Sequence, residues 1–449
     1  MMIHYKSLLT KSLPKSILAA GVSLALASSA QAAEPATVWT LDSCISYAVS
    51  HNLNVRGRQY EQLNGEVAVD AAKDRFLPRA NAYASQSFAF GRGLNAENTY
   101  SDRNTSTFSW GAQAELPLFQ GLSAVRGLEQ AKVSLRKMVY EVEAAKEDIA
   151  LNVISQYLQT LYAEEMINVA RLQLNMSRVE LERRVNMLNA GKIAELDVLQ
   201  TQSQVAQDEL TLVNAQNDHS LALLDLIQLL QLPDTVGFRI ASLADSPIPI
   251  IDPEEVYNNA LRTNSSIMAA RTGIELADKS ISLARTGYIP TLSFNAGIGS
   301  SYYHLSGIDN SGFGSQMRNN LSKTLGFSLS VPIFDAFSTR RNISRAKVQR
   351  LTAELQLEST TTALYKAIQQ AYFQAVGAER KRVASEVATN TSRAALDAMT
   401  VKYDCGRANA TEYEQARLQY ITNLSQSLQA RYEALLRTRI LQFYSRPKY

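Results

Sequence analysis

Two spacings of apolar residues alternate along the chain. Leu128, Ala131, Leu135, Met138, Val142, Ala145 and Ile149 follow one another in steps of three and four. That 3.5-residue period is a coiled-coil seam. Val125, Val139 and Val153 suggest a second, weaker seam, so the helix expects two neighbours, as in a bundle or a cylinder of helices. An ordinary helix-bundle core would carry the same spacing. Elsewhere the period is two. In 108–116 the even positions are Phe, Trp, Ala, Ala and Leu, and the odd ones Ser, Gly, Gln and Glu. The stretches 292–299 and 325–331 alternate in the same way, and 81–90 more weakly. Period two predicts strands. They pair into hairpins at 81–118 and 291–334, split by polar loops at 91–106 and 305–322.

The pattern occurs twice. Shifted by 212, Ala48 meets Ala260, Asn52 meets Asn264 and Pro78 meets Pro290. Shifted by 215, Pro117-Leu118-Phe119 meets Pro332-Ile333-Phe334, Tyr157 meets Tyr372, and Gly191-Lys192 meets Gly406-Arg407. The slip falls between the prolines, 117 − 78 = 39 against 332 − 290 = 42, and a loop tolerates it. Two tandem repeats follow, 33–245 and 246–449. Each opens with short helices, passes through its hairpin and enters a long helix. Neither 122–190 nor 337–405 contains a proline, and each holds one glycine, Gly127 or Gly377. An uninterrupted helix of that length is about 100 Å long, more than a compact domain holds. Partner helices are expected at 192–232 and 407–446.

The strands have one apolar face and one built almost wholly of Ser, Gly, Asn and Gln. A soluble hairpin can alternate too, but an almost chargeless polar face fits a wet lumen with lipid outside. About ten residues per strand is the length a tilted strand needs to cross a bilayer. Four strands do not close a spanning barrel, since such barrels start at about eight. If these strands enter lipid the chain oligomerises, and cyclic symmetry closes the sheet edges.

Composition narrows the functions. Residues 1–32 read as a secretory signal: Lys6, Lys11 and Lys15 precede an apolar run that ends at Ala30-Gln31-Ala32. A membrane anchor is the other reading, but the run is shorter than the roughly 20 residues a span needs. Of 45 basic and 42 acidic residues, those three lysines leave with the signal, so the remaining charge balances at zero. That excludes a nucleic-acid binder relying on bulk positive charge. Cys44 follows Leu41-Asp42-Ser43, an unsuitable context for a lipid anchor, and Cys44 and Cys405 lie too far apart along the helices to pair. His51, His219 and His304 have no ligand spacing. Gly91-Arg92-Gly93 and Gly297-Ile298-Gly299 are too short for a phosphate loop. No enzyme, metal site or cofactor is expected.

The order of these features resembles the TolC-like outer-membrane efflux proteins over essentially the whole mature chain. The residues that carry the likeness are the tandem repeat, the proline-bracketed hairpins, the long helices and two turn segments, 188–199 and 402–413, with Gly191 and Gly406 at the helix joints. The resemblance implies a mainly α fold with a β-barrel part. In it a homotrimer builds a 12-stranded transmembrane β-barrel that continues as a 12-helix periplasmic α-barrel tunnel. It implies an outer-membrane location in a Gram-negative bacterium, with loops 91–106 and 305–322 outside and the glycine turns in the periplasm. The partners implied are a periplasmic adaptor protein at the tunnel tip and, through it, an inner-membrane pump of the RND or ABC class. By position, Glu412 and Gln415 match the family's aperture acids, the second having lost its charge. Asp197 and Tyr403 match residues that latch the tip. The family's latch arginine falls on Ala408, with Arg407 one place away. Gly191, Lys192, Gly406 and Arg407 form the tip that would meet the adaptor. Glu412 also suits an ordinary place in the first turn of a helix, favoured by the dipole. A non-channel periplasmic scaffold of coiled coils remains the alternative to an exit duct.

Overall fold

The computed structural model describes residues 38–445 except 95–97, 103, 233–236, 244–248 and 307. The expected signal at 1–32 lies outside the described residues. In chain order the elements are β1 (Val38–Trp39), α1 (Leu41–His51), α2 (Leu53–Asp74), β2 (Arg79–Ala89), β3 (Arg92–Leu94), β4 (Tyr100–Asp102), β5 (Thr105–Gln120), α3 (Ser123–Asn189), α4 (Glu195–Leu230) and β6 (Arg239–Ile240). The second half holds α5 (Pro253–Thr263), α6 (Ser265–Ala284), β7 (Thr291–Leu305), α7 (Phe313–Asn319), β8 (Ser322–Ser330), α8 (Ser338–Asp404) and α9 (Ala410–Ser445). The two long helices have 67 residues each and their partners 36 each.

Two differences from the sequence reading concern the loops. The first polar loop carries the small β3–β4 ladder. The second carries α7, whose seven residues include Gly314, too short and too glycine-broken for periodicity to reveal. A third difference lies at the helix joints. The partner helices begin at Glu195 and Ala410, three residues later than expected. Each long helix ends in a Schellman turn with the glycine left-handed: Gly191 and Gly406 both have φ 69°. Lys192 N–H donates to Met187 O at 2.9 Å and Arg407 N–H to Lys402 O at 2.9 Å. A left-handed position is cheap only for glycine. The chain then needs an extended residue to re-enter a helix, which places residues 191–194 in the first turn and 406–409 in the second outside both helices.

The helices pack in two storeys. Nearer the strands, α3 lies between α2 and α6, and α6 lies against α8; farther away, α3 pairs with α4 and α9, and α8 with α9. A helix with two neighbours at each level needs two contact faces; of the valine row expected as a second seam only Val153 is buried, while Val125 and Val139 are exposed within the protomer. Between the storeys sit two apolar clusters. One joins Leu41, Cys44, Val55, Val153, Leu226 and Leu230. The other joins Val256, Ile267, Ile368, Ala375 and Leu441. Tyr157 closes the first, its hydroxyl donating to Trp39 O at 3.1 Å and Ala241 O at 2.6 Å. It thereby clamps the short parallel β1–β6 pair to α3.

The sheet is antiparallel in the order β2-β5-β7-β8. Its register aligns Ala84, Trp110 and Ser300 across three strands, and Ala114, Ala296 and Leu325 lower down. Because alternate residues share a face, one face carries Phe108, Trp110, Phe294, Ile298, Leu325 and Phe327, and the other Asn81, Gln113, Asn295, Gly297, Thr324 and Ser328. The apolar face is open: Leu325 is 78% exposed and Phe327 73%. Both edges of the sheet, β2 and β8, have no further strand partner among the described residues. No helix among the described residues is long and apolar enough to cross a membrane.

Candidate functional site

The two glycine turns lie at the far end of the helices from the sheet, and between them the four lower helices share a polar core. Its centre is Glu180 of α3, only 2% exposed. Glu180 accepts hydrogen bonds from Arg184 Nε at 2.9 Å and from the Tyr403 hydroxyl of α8 at 2.9 Å. The Tyr403 ring stacks on Tyr413 of α9, centroids 5.0 Å apart, and lies 4.6 Å under the Arg183 guanidinium. Arg183 in turn pairs with Asp404. Burial, reinforced by the bond to Glu180, pushes the Tyr403 hydroxyl above its ordinary pKa, so it remains a proton donor. One α3 carboxylate thus holds α8 by a neutral hydroxyl, while the neighbouring arginine holds it by charge.

A second layer lies deeper. Arg417 of α9 is 1% exposed. Its Nη1 donates to Ser177 Oγ of α3 at 2.6 Å and its Nε to Glu414 at 2.9 Å, with Asp208 of α4 at 3.9 Å. Asp208 also accepts from Gln173 at 2.7 Å, Gln204 at 2.8 Å and Ser177. A buried charge of this kind persists only when paired and hydrogen-bonded, and here three helices supply the partners.

The residues singled out by sequence fall into two groups. Tyr403 belongs to the polar core. Asp197 caps α4, accepting from Ala194 N–H at 3.3 Å, and lies 4.0 Å from Arg184. Within the protomer Asp197 and Tyr403 therefore meet only through Arg184 and Glu180. Glu412 and Gln415 are exposed, on the side of α9 away from buried Tyr413 and Arg417. Glu412 forms a reciprocal cap with Asn409: its carboxylate accepts from Asn409 N–H at 3.0 Å, and its own N–H donates to Asn409 Oδ1 at 2.8 Å. That is the local cost-free reason for an acid there; it leaves the carboxylate facing solvent. Gly191, Lys192, Gly406 and Arg407 are exposed at the tip. Glu180, Arg183, Arg184, Asp208 and Arg417 were not singled out by sequence. The signal for Arg417 was present: it lies four residues from Tyr413 and four from Ile421, a charged residue in the middle of a buried row. Among the described residues no three His, Cys, Asp or Glu side chains cluster as metal ligands.

The sequence profile of the outer membrane efflux protein family matches residues 45–231 and again 256–443. The chain belongs to the outer membrane efflux protein family. The double match falls on the two tandem repeats. Among members of this family, the chain is 24% identical to outer membrane protein TolC of Escherichia coli over 358 residues, 77% of this chain and 72% of that one. It is 24% identical to protein CyaE of Bordetella pertussis over 374 residues, covering 81% and 76%. In fold it matches CusC with a TM-score of 0.75 at 16% identity, covering 90% of this chain and 91% of that one. It matches the Campylobacter jejuni CmeC outer membrane channel with a TM-score of 0.75 at 15% identity, covering 90% and 85%. Membership places the chain at the outer membrane.

Proposed function

We propose that the chain is the outer-membrane exit duct of a tripartite efflux or type I secretion system. In this reading three protomers align β8 of one with β2 of the next. Their four strands each make a 12-stranded barrel, and the four lower helices of each make a 12-helix tunnel. The observation that carries the reading is the two-faced sheet: an exposed apolar face, a polar face of small residues, and two open edges that only neighbours can satisfy. The tip at Gly191, Lys192, Gly406 and Arg407 meets a periplasmic adaptor, which couples it to an inner-membrane pump of the RND or ABC class. Substrate passes without chemistry, by diffusion through the lumen. Three Glu412 carboxylates around the axis form a negative ring at the aperture, with Gln415 beside them. Tyr403 and Asp197 hold that aperture through Glu180 and Arg184.

The test is the protein mass of the mature oligomer extracted in mild detergent, with bound detergent subtracted, followed by conductance in a planar bilayer. A trimer that conducts is expected. A monomer released from membranes by high salt would replace the duct with a periplasmic coiled-coil scaffold.

A further inference from the structure

The hairpin β7–β8 is uneven. β8 stops at Ser322, opposite Gly299, while β7 runs on to Leu305. Six residues of β7 therefore lose their strand partner on that side, an edge open to foreign pairing. Three side-chain carboxamides replace the missing strand. Asn320 donates to Ser301 O at 2.7 Å. Gln316 accepts from Tyr303 N–H at 3.0 Å and donates to Tyr303 O at 3.0 Å. Asn310 does the same for Leu305, at 3.0 and 2.8 Å. The spacing of two along β7 is the ladder period. These bonds seat α7 on the apolar face of the sheet. Ser300 Oγ donates to Met317 O at 2.8 Å, and the Phe313 ring lies 5.1 Å from Tyr302 and 5.9 Å from Phe108.

α7 thus ends the open apolar face on its outer side, and it brings positive charge there. Arg318, beside Met317, is exposed. Lys323 is exposed and lies opposite Ile298, two residues below Ser300 on β7, about 7 Å along the strand. On the four strands of this face Lys323 is the one Lys, Arg, Asp or Glu among the described residues, with Tyr302 and His304 near the rim; neither Lys323 nor Arg318 has an ion-pair partner among them, Arg318 Nε donating to Gly314 O at 3.3 Å. Asp309, the nearest acid in sequence, lies before α7 rather than beside its cations. Directly below runs a shallow groove of about 610 Å³, floored by Ala82, Ala112, Ala114 and Ala296, walled by Leu325 and ending at Lys323. The alanines align across neighbouring strands, so their small side chains make one trough.

We propose that this face docks an anionic, phosphate-bearing lipid of the outer leaflet, with an acyl chain along the alanine trough and the headgroup phosphate at Arg318 and Lys323. The proposal rests on the reading that the apolar face meets lipid. Within that reading it names a lipid class and a place, because a trough of methyl groups accepts a hydrocarbon chain, and Lys323 at its end, with Arg318 on the neighbouring α7, supplies positive charge that selects an anionic headgroup.

The experiment compares the wild-type chain with R318Q/K323Q, both extracted in a neutral detergent. Native mass spectrometry follows binding of bisphosphorylated lipid A, with phosphatidylcholine as the neutral probe and inorganic phosphate as competitor. Each surface cation contributes roughly a factor of five, so apparent affinity for lipid A should fall about thirtyfold in the variant, with phosphatidylcholine unchanged. R318K/K323R, which keeps both charges, should bind as wild type. Undiminished binding by the glutamine variant, loss in the charge-preserving variant, or displacement of lipid by inorganic phosphate would each overturn the proposal while leaving the duct reading intact. A chain that takes up no detergent micelle at all would overturn both.

Discussion

Tyr403 and Glu180 are 223 positions apart in the chain and 2.9 Å apart in the fold. The bond joins the last turn of the second repeat's long helix to the first repeat's long helix, so the two halves of the chain are tied at the tip. Replacing the hydroxyl removes a donor from a buried carboxylate. We expect Tyr403→Phe to lower thermal stability by about 1–3 kcal/mol, the cost of an unsatisfied buried group. In bilayers the variant should conduct more than wild type. A conductance trace unchanged from wild type would detach Tyr403 from the aperture.

Glu412 is free to face an axis because its capping partner, Asn409, is local. A ring of three carboxylates attracts cations. Glu412→Gln should leave α9 folded and weaken block of the open channel by divalent and trivalent cations. Equal block before and after the change would return Glu412 to a capping role alone.

Glu147 is buried against α6, accepting from Ser265 Oγ at 2.5 Å. Burial raises its carboxyl above the usual range despite that bond, with Asp148 and Glu143 adding to the effect. A raised folded-state value means the protonated form is the one the fold prefers. Its stability contribution is present below the ordinary glutamate pKa and is lost as pH rises through the higher folded-state value. Glu147→Gln should therefore raise the melting temperature at neutral pH and flatten its fall between acid and neutral conditions. Melting curves of both chains across that range decide the matter.

The two cysteines differ in reach. Cys44 is fully buried, and burial pushes its thiol up to about 12, whereas Cys405 is exposed beside the tip glycine. Thiolate is the reactive form. A maleimide at neutral pH should label one thiol per native chain, at Cys405, and two only after unfolding. Peptide mapping that found label on Cys44 in the native protein would contradict this packing.

Long elements were legible because their patterns repeat many times. The seam from Leu128 to Ile149 and the alternation at Phe108 and Trp110 each state their period several times over. α7 had no such redundancy: seven residues make two turns, and its anchoring depends on Gln316 and Asn320 reaching a strand edge that only the folded hairpin creates. The tip was half legible. The turn glycines follow from the helix joints, whereas Tyr403 and Asp197 come only through the resemblance to the family, by their distance from those glycines. Glu180 and Arg184 gain their role from α8 and α4 packing beside them, a relation between distant segments that no local pattern encodes.

Equal lengths carry a consequence of their own. α3 and α8 both have 67 residues, and α4 and α9 both have 36. One residue inserted into a single long helix would advance its turn by about 1.5 Å and swing it by about 100°, carrying Tyr403 away from Glu180. The two repeats therefore act as paired measuring rods. Length can drift freely in the hairpin loops, where the repeats do differ, but in the helices it is held to matched steps in both halves at once.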